Sequence, residues 1–573
     1  MQRLGLFAAA LPISLLLSCG TAGPQTPIAS IHPAAPAGLV RADSGMVVSA
    51  HPLASAIGER VLREGGNAVD AAIAVHWALA VTTPWAGNIG GGGFMVVRLA
   101  DGRTASLDFR EAAPAAARHN MYVDQQGQVV PGLSEYGHLA PGVPGSVAGL
   151  FALHDSLGSL PMARLIQPAI DLAAAGCPLT GHEAHELNAA RPLIGRHSTR
   201  PNAFTSRSSW AAGDTLRQPE LAHTLERIRD GGAEEFSKGL TARLLVEEMR
   251  RGGGLITAAD LATYHPRWRP PLQGTFQGME VITMGPPSSG GILLLQMLRG
   301  METADPSIWT GGRPALLHRM IEVERRAFAD RAEYLGDPDF VRVPVQELIA
   351  HEYVDARMAD IDPSRATSST AIRAGSPVPE AAHTTHFSIV DPMGNAVSCT
   401  TTLNGAYGCG VVVGGAGFLL NNEMDDFSAA PGAPNAYGLI GGEANSIAPH
   451  KRMLSSMAPT IVTRNGRLFM VAGSPGGSTI PTTVFQVLLN VVHHGMDMQQ
   501  AVSAFRFHHQ WLPDTVRAEI GAIQPADSMA LVEMGHVIRI RHAIGRADAI
   551  LVHPDGTLEG GADPRGDDRA MGF

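Results

Sequence analysis

The chain has 573 residues, of which 45% are hydrophobic and 17% are charged, and its formal net charge is −10. This composition excludes a disordered chain. An acidic balance without a basic block also argues against a nucleic-acid-binding protein.

The first residues predict an export signal. Arg3 gives a positive start, and the uncharged run Leu4–Leu17 is too short to span a bilayer. Leu16-Leu17-Ser18-Cys19 resembles a bacterial lipobox with Cys19 as the acylated residue, although an ordinary signal peptide that contains a cysteine is the alternative. We therefore expect a signal over 1–19, a Pro- and Ala-rich linker over 20–40, and a periplasmic location with a lipid anchor.

Hydrophobic periodicity and Pro or Gly turns predict helices and strands along the rest of the chain. The predicted helices are His51–Glu64, Ala68–Val81, Ser146–Leu157, Met162–Ala175, Leu221–Arg229 and Pro314–Leu335. The predicted strands are Gly45–Ser49, Gly93–Arg98, Glu280–Thr283, Thr385–Val390, Ala396–Leu403, Thr460–Arg464, Leu468–Gly473 and Ala549–Val552. Helices that cover two stacked sheets would satisfy this order.

The cysteines do not form a disulfide framework. Apart from Cys19, the chain has Cys177, Cys399 and Cys409, an odd number. Cys399 and Cys409 could pair across a turn, but the sequence favours buried free thiols.

The most informative segment begins at Thr384. The run Thr384-Thr385-His386-Phe387-Ser388-Ile389-Val390 follows a polar loop and is separated by five residues from the second run, Ala396–Leu403. This pattern predicts a strand, a tight turn and a strand. Cleavage before Thr384 would free an α-amine beside the hydroxyl of the same residue, so one residue would supply both nucleophile and base.

The surrounding motifs resemble the bacterial γ-glutamyltranspeptidase family. The resemblance runs from about Gly45 to the C-terminus. Its densest motifs are TTHFSIVD, CTTTLNGAYG, LLNNEMDDFS, PNAYGLIGGEAN, KRMLSSMAPTIV, GSPGGS and RFHHQWLPD, with LDFREAAP, APGVPGS and GPPSSGG upstream. So many motifs in the expected order make the resemblance specific.

The resemblance implies an α+β fold, the four-layer αββα sandwich of the N-terminal nucleophile hydrolases. It also implies that the precursor cuts itself between His383 and Thr384. A large subunit, 41–383, and a small catalytic subunit, 384–573, would then stay associated as one interlaced domain. The implied activity is γ-glutamyl transfer from glutathione and similar amides to water or to an acceptor amine, without a metal or another cofactor.

The resemblance also assigns roles to individual residues. Thr384 would be the nucleophile, Thr402 would orient it, and the backbone N–H groups of Gly476 and Gly477 would bind the oxyanion. The remaining implied residues recognise the substrate: Arg110, Ser455 and Ser456 its α-carboxylate, Asn404, Glu423 and Asp426 its α-ammonium, and Tyr437 as part of a lid. Glu423 stands where some bacterial members carry glutamine.

Two other functions remain open at this stage. A glutaryl or cephalosporin acylase would share the architecture, but its substrate lacks the α-ammonium group. A non-catalytic binding lipoprotein would be expected to lack Thr384, Thr402 or the glycine pair, and the chain has them all. The spacing of His182 and His185 differs from a helical zinc motif, so we expect no metal there.

Overall fold

The computed structural model describes residues 38–309, 312–372, 384–430, 435, 439 and 441–573. The strands, in chain order, are β1 (Val40–Ala42), β2 (Met46–Ser49), β3 (Gly92–Arg98), β4 (Thr104–Asp108), β5 (Cys177–Pro178), β6 (Thr215–Leu216), β7 (Arg267–Arg269), β8 (Leu272–Phe276), β9 (Met279–Thr283), β10 (Thr384–Val390), β11 (Ala396–Thr402), β12 (Thr460–Arg464), β13 (Arg467–Gly473), β14 (Phe507–His508), β15 (Val516–Glu519), β16 (Ile538–Arg541), β17 (Asp548–Val552), β18 (Leu558–Gly561) and β19 (Arg569–Gly572).

The helices of the same residues are α1 (Pro52–Arg63), α2 (Ala68–Thr82), α3 (Ser146–Leu157), α4 (Met162–Ala175), α5 (Gly181–His197), α6 (Pro219–Gly231), α7 (Ala233–Ser237), α8 (Leu240–Gly252), α9 (Ala258–Thr263), α10 (Gly290–Glu302), α11 (Arg313–Tyr334), α12 (Val345–Ile349), α13 (His351–Met358), α14 (Ile480–Val492), α15 (Met498–Ser503) and α16 (Pro525–Glu533). Every helix and strand predicted from the sequence is present. None of the described helices has the length and apolar character that a membrane span requires.

Two seven-stranded sheets form the centre of the fold. The first has the strand order β1-β18-β17-β13-β12-β9-β8, and the second has the order β19-β2-β10-β11-β3-β4-β7. Strand β10 packs against β13 and β17 of the facing sheet, α1 and α2 cover the second sheet, and α10 and α14 cover the first. This arrangement is the expected αββα sandwich.

Side chains along β10 point alternately to its two faces. One face packs into the core beneath α1 and α2, and the other lies between the two sheets. Phe387 and Ile389 point outward into the core beneath α1 and α2. Thr384, His386 and Ser388 lie on the other face, between the two sheets, and are buried. A continuous row of polar groups therefore runs through the middle of the sandwich, with Thr384 at its end.

The hairpin that carries Thr384 is fixed by its turn and by its neighbours. The side chain of Asp391 accepts hydrogen bonds from the N–H groups of Met393 and Asn395, both at 2.9 Å, which closes the turn between β10 and β11. Its second oxygen accepts from the N–H of Ala68 at 2.9 Å, at the first residue of α2. The turn is thus attached to the helix that covers the hairpin.

The cysteines Cys177, Cys399 and Cys409 are buried and free, as the sequence favoured. The described part of the chain therefore gains no disulfide cross-link from them.

Candidate active site

The two threonines singled out in the sequence lie opposite each other. Antiparallel pairing of β10 and β11 places Thr384 in register with Thr402. Their Oγ1 atoms are 3.5 Å apart, and both residues are buried. The Oγ1 atom of Thr402 also accepts a hydrogen bond from the N–H of Asn404 at 2.7 Å. Thr402 is therefore held in place and is available to orient the Thr384 hydroxyl.

Replacing Thr402 with valine tests this orientation. Valine keeps the shape, but it removes the hydroxyl beside Thr384 and leaves the Asn404 N–H unpaired. We expect the rate of chain cleavage and kcat both to fall by about 10- to 100-fold, because a misplaced Thr384 hydroxyl is no longer aligned with the carbonyl that it attacks. Serine at the same position restores the hydroxyl and should recover most of both rates. A T402V chain that is cut and turns over at the wild-type rate would show that Thr402 is only a strand residue.

Arg110 forms the charged centre of the site. It follows β4 and is buried, and its two terminal nitrogens form ion pairs with the carboxylates of Glu423 and Asp426. Those two acids belong to one 3₁₀ turn, Glu423–Asp426. The guanidinium also points toward the carbonyls of Met453 and Leu454, at 3.4 Å each. The residues expected to bind a carboxylate and an ammonium therefore form ion pairs with each other.

Glu111 is an acid of this cluster that sequence reasoning missed. It is buried and one of its oxygens lies 3.7 Å from Arg110 Nη1, but neither carboxylate oxygen has a hydrogen-bond partner among the described residues. Burial raises the pKa of Glu111 to about 7. Its adjacency to Arg110 within the motif LDFRE was the only signal in the sequence that could have pointed to it.

Three carboxyl groups share one guanidinium here. Burial raises the pKa of Glu423 well above its usual range and also raises the pKa of Asp426, whereas the nearby Arg110 opposes both shifts. Burial disfavours the charge of Arg110, but Glu423, Asp426 and Glu111 outweigh it and raise the pKa of the guanidinium. The arginine stays charged, and the cluster retains a proton on one of its acids near neutral pH.

This charge balance predicts different effects for two amide substitutions. E423Q places a neutral amide where burial raises the pKa of the acid well above its usual range, so we expect the donor KM to stay within about threefold of the wild type at neutral pH. Asp426 keeps 11% of its side chain exposed, so its charge is better solvated, and D426N should raise KM by at least about 30-fold. Steady-state kinetics on both variants decide this. An E423Q variant as impaired as D426N would contradict the balance described here.

The other predicted substrate residues, apart from Tyr437, lie around the same cavity. It is lined by Arg110, Thr384, Thr402, Asn404, Glu423, Asp426, Leu439, Ser455, Ser456, Met457, Gly477 and Ile480. The Oγ of Ser456 has no partner among the described residues, whereas that of Ser455 accepts from the N–H of Met457 at 3.1 Å. Asn404 adopts a positive φ of 70°, and its side chain donates to the carbonyl of Asn422 at 3.0 Å. The cavity thus contains polar groups that a ligand could engage.

The glycine pair lies between β13 and α14. Gly476 and Gly477 have φ values of 133° and 54°, where residues with side chains are strained. A Cβ atom at Gly476 would also lie 2.4 Å from the Oγ1 atom of Thr479. Gly477 lines the cavity with Thr384, and Gly476 precedes it in the loop. The glycines therefore let bare backbone approach the nucleophile.

Three predicted functional residues lie outside the described residues: Cys19, His383 and Tyr437. Lipid attachment, the residue before the cut and the lid tyrosine remain predictions. The apolar lining of the cavity by Leu439, Met457 and Ile480 was not predicted, because no local pattern in the sequence distinguishes such residues from the core.

The chain is similar to known proteins over most of its length. A sequence model described as gamma-glutamyltranspeptidase matches residues 54–573. A glutathione hydrolase proenzyme of Escherichia coli is 46% identical over 539 residues, covering 93% of each chain. An acylase, the ACY 1 proenzyme of Pseudomonas, is 38% identical over 531 residues and covers 91% of this chain and 92% of its own.

A solved structure supports the same fold. The crystal structure of a cephalosporin acylase from Bacillus halodurans superposes with a TM-score of 0.83 at 27% identity, covering 96% of this chain and 99% of that chain.

Proposed function

Because the chain belongs to the gamma-glutamyltranspeptidase family, we propose that Thr384 is the residue with which this enzyme first cuts its own chain and then cleaves γ-glutamyl amides. The enzyme is a γ-glutamyltransferase and glutathione hydrolase made as a proenzyme. The observation that carries the residue assignment is the location of Thr384, beside Thr402 and in one cavity with Arg110 and Asp426.

Maturation begins with the Thr384 hydroxyl. Its oxygen attacks the carbonyl carbon of His383, the C–N bond breaks, and the Thr384 nitrogen takes a proton, leaving an ester between the two residues. Water then hydrolyses this ester, which restores the hydroxyl and frees the α-amine. A free α-amine has a pKa of about 7.7–8.0, so a useful fraction is unprotonated near neutral pH and can act as a base.

The two resulting subunits, 41–383 and 384–573, would remain interlaced. In the second sheet β10 and β11 of the small subunit lie between β2 and β3 of the large one, and β18 of the small subunit pairs with β1 of the large one. Separation would break ladders of buried hydrogen bonds, so the subunits are expected to stay together after the peptide bond is cut.

Catalysis uses the same hydroxyl on a γ-amide. The α-amine accepts the hydroxyl proton while the oxygen attacks the γ-carbonyl, and the N–H groups of Gly476 and Gly477 stabilise the oxyanion. The proton passes to the leaving amine, and a γ-glutamyl ester remains on Thr384. Water or an acceptor amine attacks this ester and releases glutamate or a new γ-glutamyl amide.

Substrate recognition is an exchange of ion pairs. The α-carboxylate of the donor would take the place of an acid at Arg110, with hydroxyl donors from Ser455 and Ser456. The α-ammonium would then pair with the displaced carboxylates of Glu423 and Asp426 and with the side-chain oxygen of Asn404. The donor carboxylate would pair with Arg110, and the donor ammonium would pair with the acids that Arg110 releases. Every buried charge would therefore keep a partner of opposite sign.

This exchange separates the proposed activity from an acylase. A glutaryl amide has the carboxylate but not the ammonium, so its binding would leave the displaced acids unpaired. We expect kcat/KM for a γ-glutamyl anilide to exceed that for the matching glutaryl anilide by at least about 100-fold. Equal rates on the two anilides would favour an acylase.

We also propose that the protein is exported and lipid-anchored through Cys19. Sequence alone supports this, through the lipobox of residues 16–19. Expression of the full chain in a bacterium, followed by membrane fractionation with and without a C19A substitution, tests it. Loss of the protein from the membrane fraction in C19A is expected, whereas an unchanged distribution would contradict a lipid anchor.

A further inference from the structure

A group of buried acids lies behind the glycine loop. Asp548 is the first residue of β17 and is in register with Gly473, where the loop that carries Gly476 and Gly477 begins. The carbonyl of Asp548 accepts a hydrogen bond from Ser388 Oγ at 2.9 Å. Ser388 belongs to β10, the strand that begins with Thr384. Asp548 therefore joins the strand of the nucleophile to the base of the glycine loop.

Protonation of one of these acids would give a hydrogen-bond partner to buried oxygens that otherwise have none. Both carboxyl oxygens of Asp548 and the Oδ1 atom of Asp568 are buried and have no donor among the described residues. The other oxygen of Asp568 accepts from Arg546 Nε at 2.9 Å and from Arg546 Nη2 at 2.5 Å. A carboxylic acid at Asp548 would supply the missing donor to Asp568.

We propose that Asp548 and Asp568 share one proton, and that this acid pair is a positioning element that holds the glycine loop against the nucleophile strand. The inference rests on the proposed role of Gly476 and Gly477 in catalysis. Neither acid contacts the substrate in this proposal.

Arg546 connects the acid pair to the glycine loop through hydrogen bonds. Its side chain is held by Asp568, and its backbone N–H donates to Ser474 Oγ at 3.0 Å. Ser474 in turn donates to the carbonyl of Pro475 at 2.6 Å. The neighbouring Gly545 also packs against the loop, since its Cα lies 3.2 Å from where a Cβ of Gly476 would be. A shift of Arg546 would therefore move the backbone that precedes Gly477.

The charges around the pair favour one shared proton. Burial, and next the facing Asp568, raise the pKa of Asp548 well above its ordinary range. Arg546 is the cation beside the pair, and the nearby acid Asp563 is paired with Arg506 and Arg565. From the facing strand, His386 packs against Gly473, and burial lowers its pKa to about 3, so the imidazole is uncharged.

The nearby arginines do not compensate a second charge on the pair. Asp563 accepts from Arg506 Nη2 at 2.7 Å and from Arg565 Nη1 at 3.0 Å, and Arg565 also binds Glu519. Among the described residues, Arg546 is thus the cation left for Asp548 and Asp568 together. Ionisation of both acids would place two negative charges against one cation in the core, and the loop would be pushed from its position.

Three variants of the full-length enzyme test the proposal. Asparagine in D548N donates to Asp568 as the neutral acid would, so kcat should stay within about twofold of the wild type. Alanine in D548A removes the donor, and kcat should fall about tenfold or more while KM changes less than about twofold. The matched control is E324Q, because Glu324 is another buried acid whose pKa is raised by burial, and its described hydrogen bond comes from the N–H of His509, which does not line the cavity.

The pH dependence of kcat distinguishes this positioning role from a purely structural role of Asp548. The pair is intact below the raised pKa of Asp548 and is lost as the pH rises through it, so wild-type kcat should decline at alkaline pH. D548N cannot ionise, and its ratio of alkaline to neutral kcat should exceed the wild-type ratio by about threefold or more. E324Q should keep the wild-type ratio.

An infrared measurement separates this inference from the proposed function. The difference spectrum between wild type and D548N at neutral pH should contain the carbonyl band of a protonated carboxylic acid, whether or not the enzyme is active. Absence of that band, or equal kcat values and equal alkaline limbs for wild type and D548A, would overturn the shared proton or its positioning role. A wild type inactive on every γ-glutamyl donor would instead refute the proposed function.

Discussion

Thr384→Ala is expected to leave one uncut chain without measurable γ-glutamyl hydrolysis. Alanine removes the oxygen that attacks the preceding carbonyl, so the α-amine is never released. Loss of a catalytic nucleophile lowers turnover by a factor on the order of 10⁴ or more, even where the rest of a site is intact. The fold should survive, because the hydroxyl makes one long contact of 3.5 Å, to Thr402. Gel electrophoresis and a γ-glutamyl anilide assay measure both effects.

The neighbouring threonine provides the matched control. Thr385 points to the other face of β10, and its hydroxyl is buried without a partner among the described residues. T385A should therefore cut itself and turn over like the wild type. T384S keeps a hydroxyl and should cut itself, more slowly than threonine. Cleavage in T384A at the same peptide bond would contradict the assignment of the nucleophile.

Arg110→Gln should have the second largest effect. The substitution removes the partner of the donor α-carboxylate and leaves Glu423 and Asp426 without the guanidinium with which they form ion pairs. Truncating one member of a buried ion pair costs about 2–5 kcal/mol, so kcat/KM should fall by about 30- to 5,000-fold. Chain cleavage should persist, because no contact joins Arg110 to Thr384 among those described.

Two further variants show whether charge or shape is responsible. R110K keeps the charge without the planar fork, so it should fall between wild type and R110Q. Combining R110Q with E423Q removes one stranded acid, and the double variant should be more stable to heat than R110Q alone. An R110Q enzyme with the wild-type KM would show that the donor carboxylate binds elsewhere.

The sequence predicted which strands and residues form the site better than it predicted how the charged residues pair with one another. The β-branched runs and the short turn were sufficient to predict the hairpin of β10 and β11, because alternation along a half-buried strand is a local property. The residues around the cavity came from the motifs that resemble the family. That Arg110 would be paired with Glu423 and Asp426 was not predictable, since these residues are over 300 positions apart.

The features that were missed also have physical reasons. Helices α10 and α14 were not predicted, because most of their residues are buried and a short apolar run does not by itself distinguish a helix from a buried strand. Asp548 and Asp568 gave no signal, because they are 20 positions apart and lie at the start of β17 and just before β19, which belong to different sheets. Burial also decides which acids hold a proton, and burial is set by the tertiary fold.

The most direct test of the central claim is mass spectrometry of the wild-type enzyme quenched during turnover of a γ-glutamyl donor. We expect two fragments, with the smaller one beginning at Thr384 and a fraction of it carrying one γ-glutamyl group on that residue. The mass of this group should vanish when the sample is incubated without donor, because water resolves the ester. A fragment that begins at another residue, or a γ-glutamyl group attached to another side chain, would contradict the assignment of Thr384 as the nucleophile.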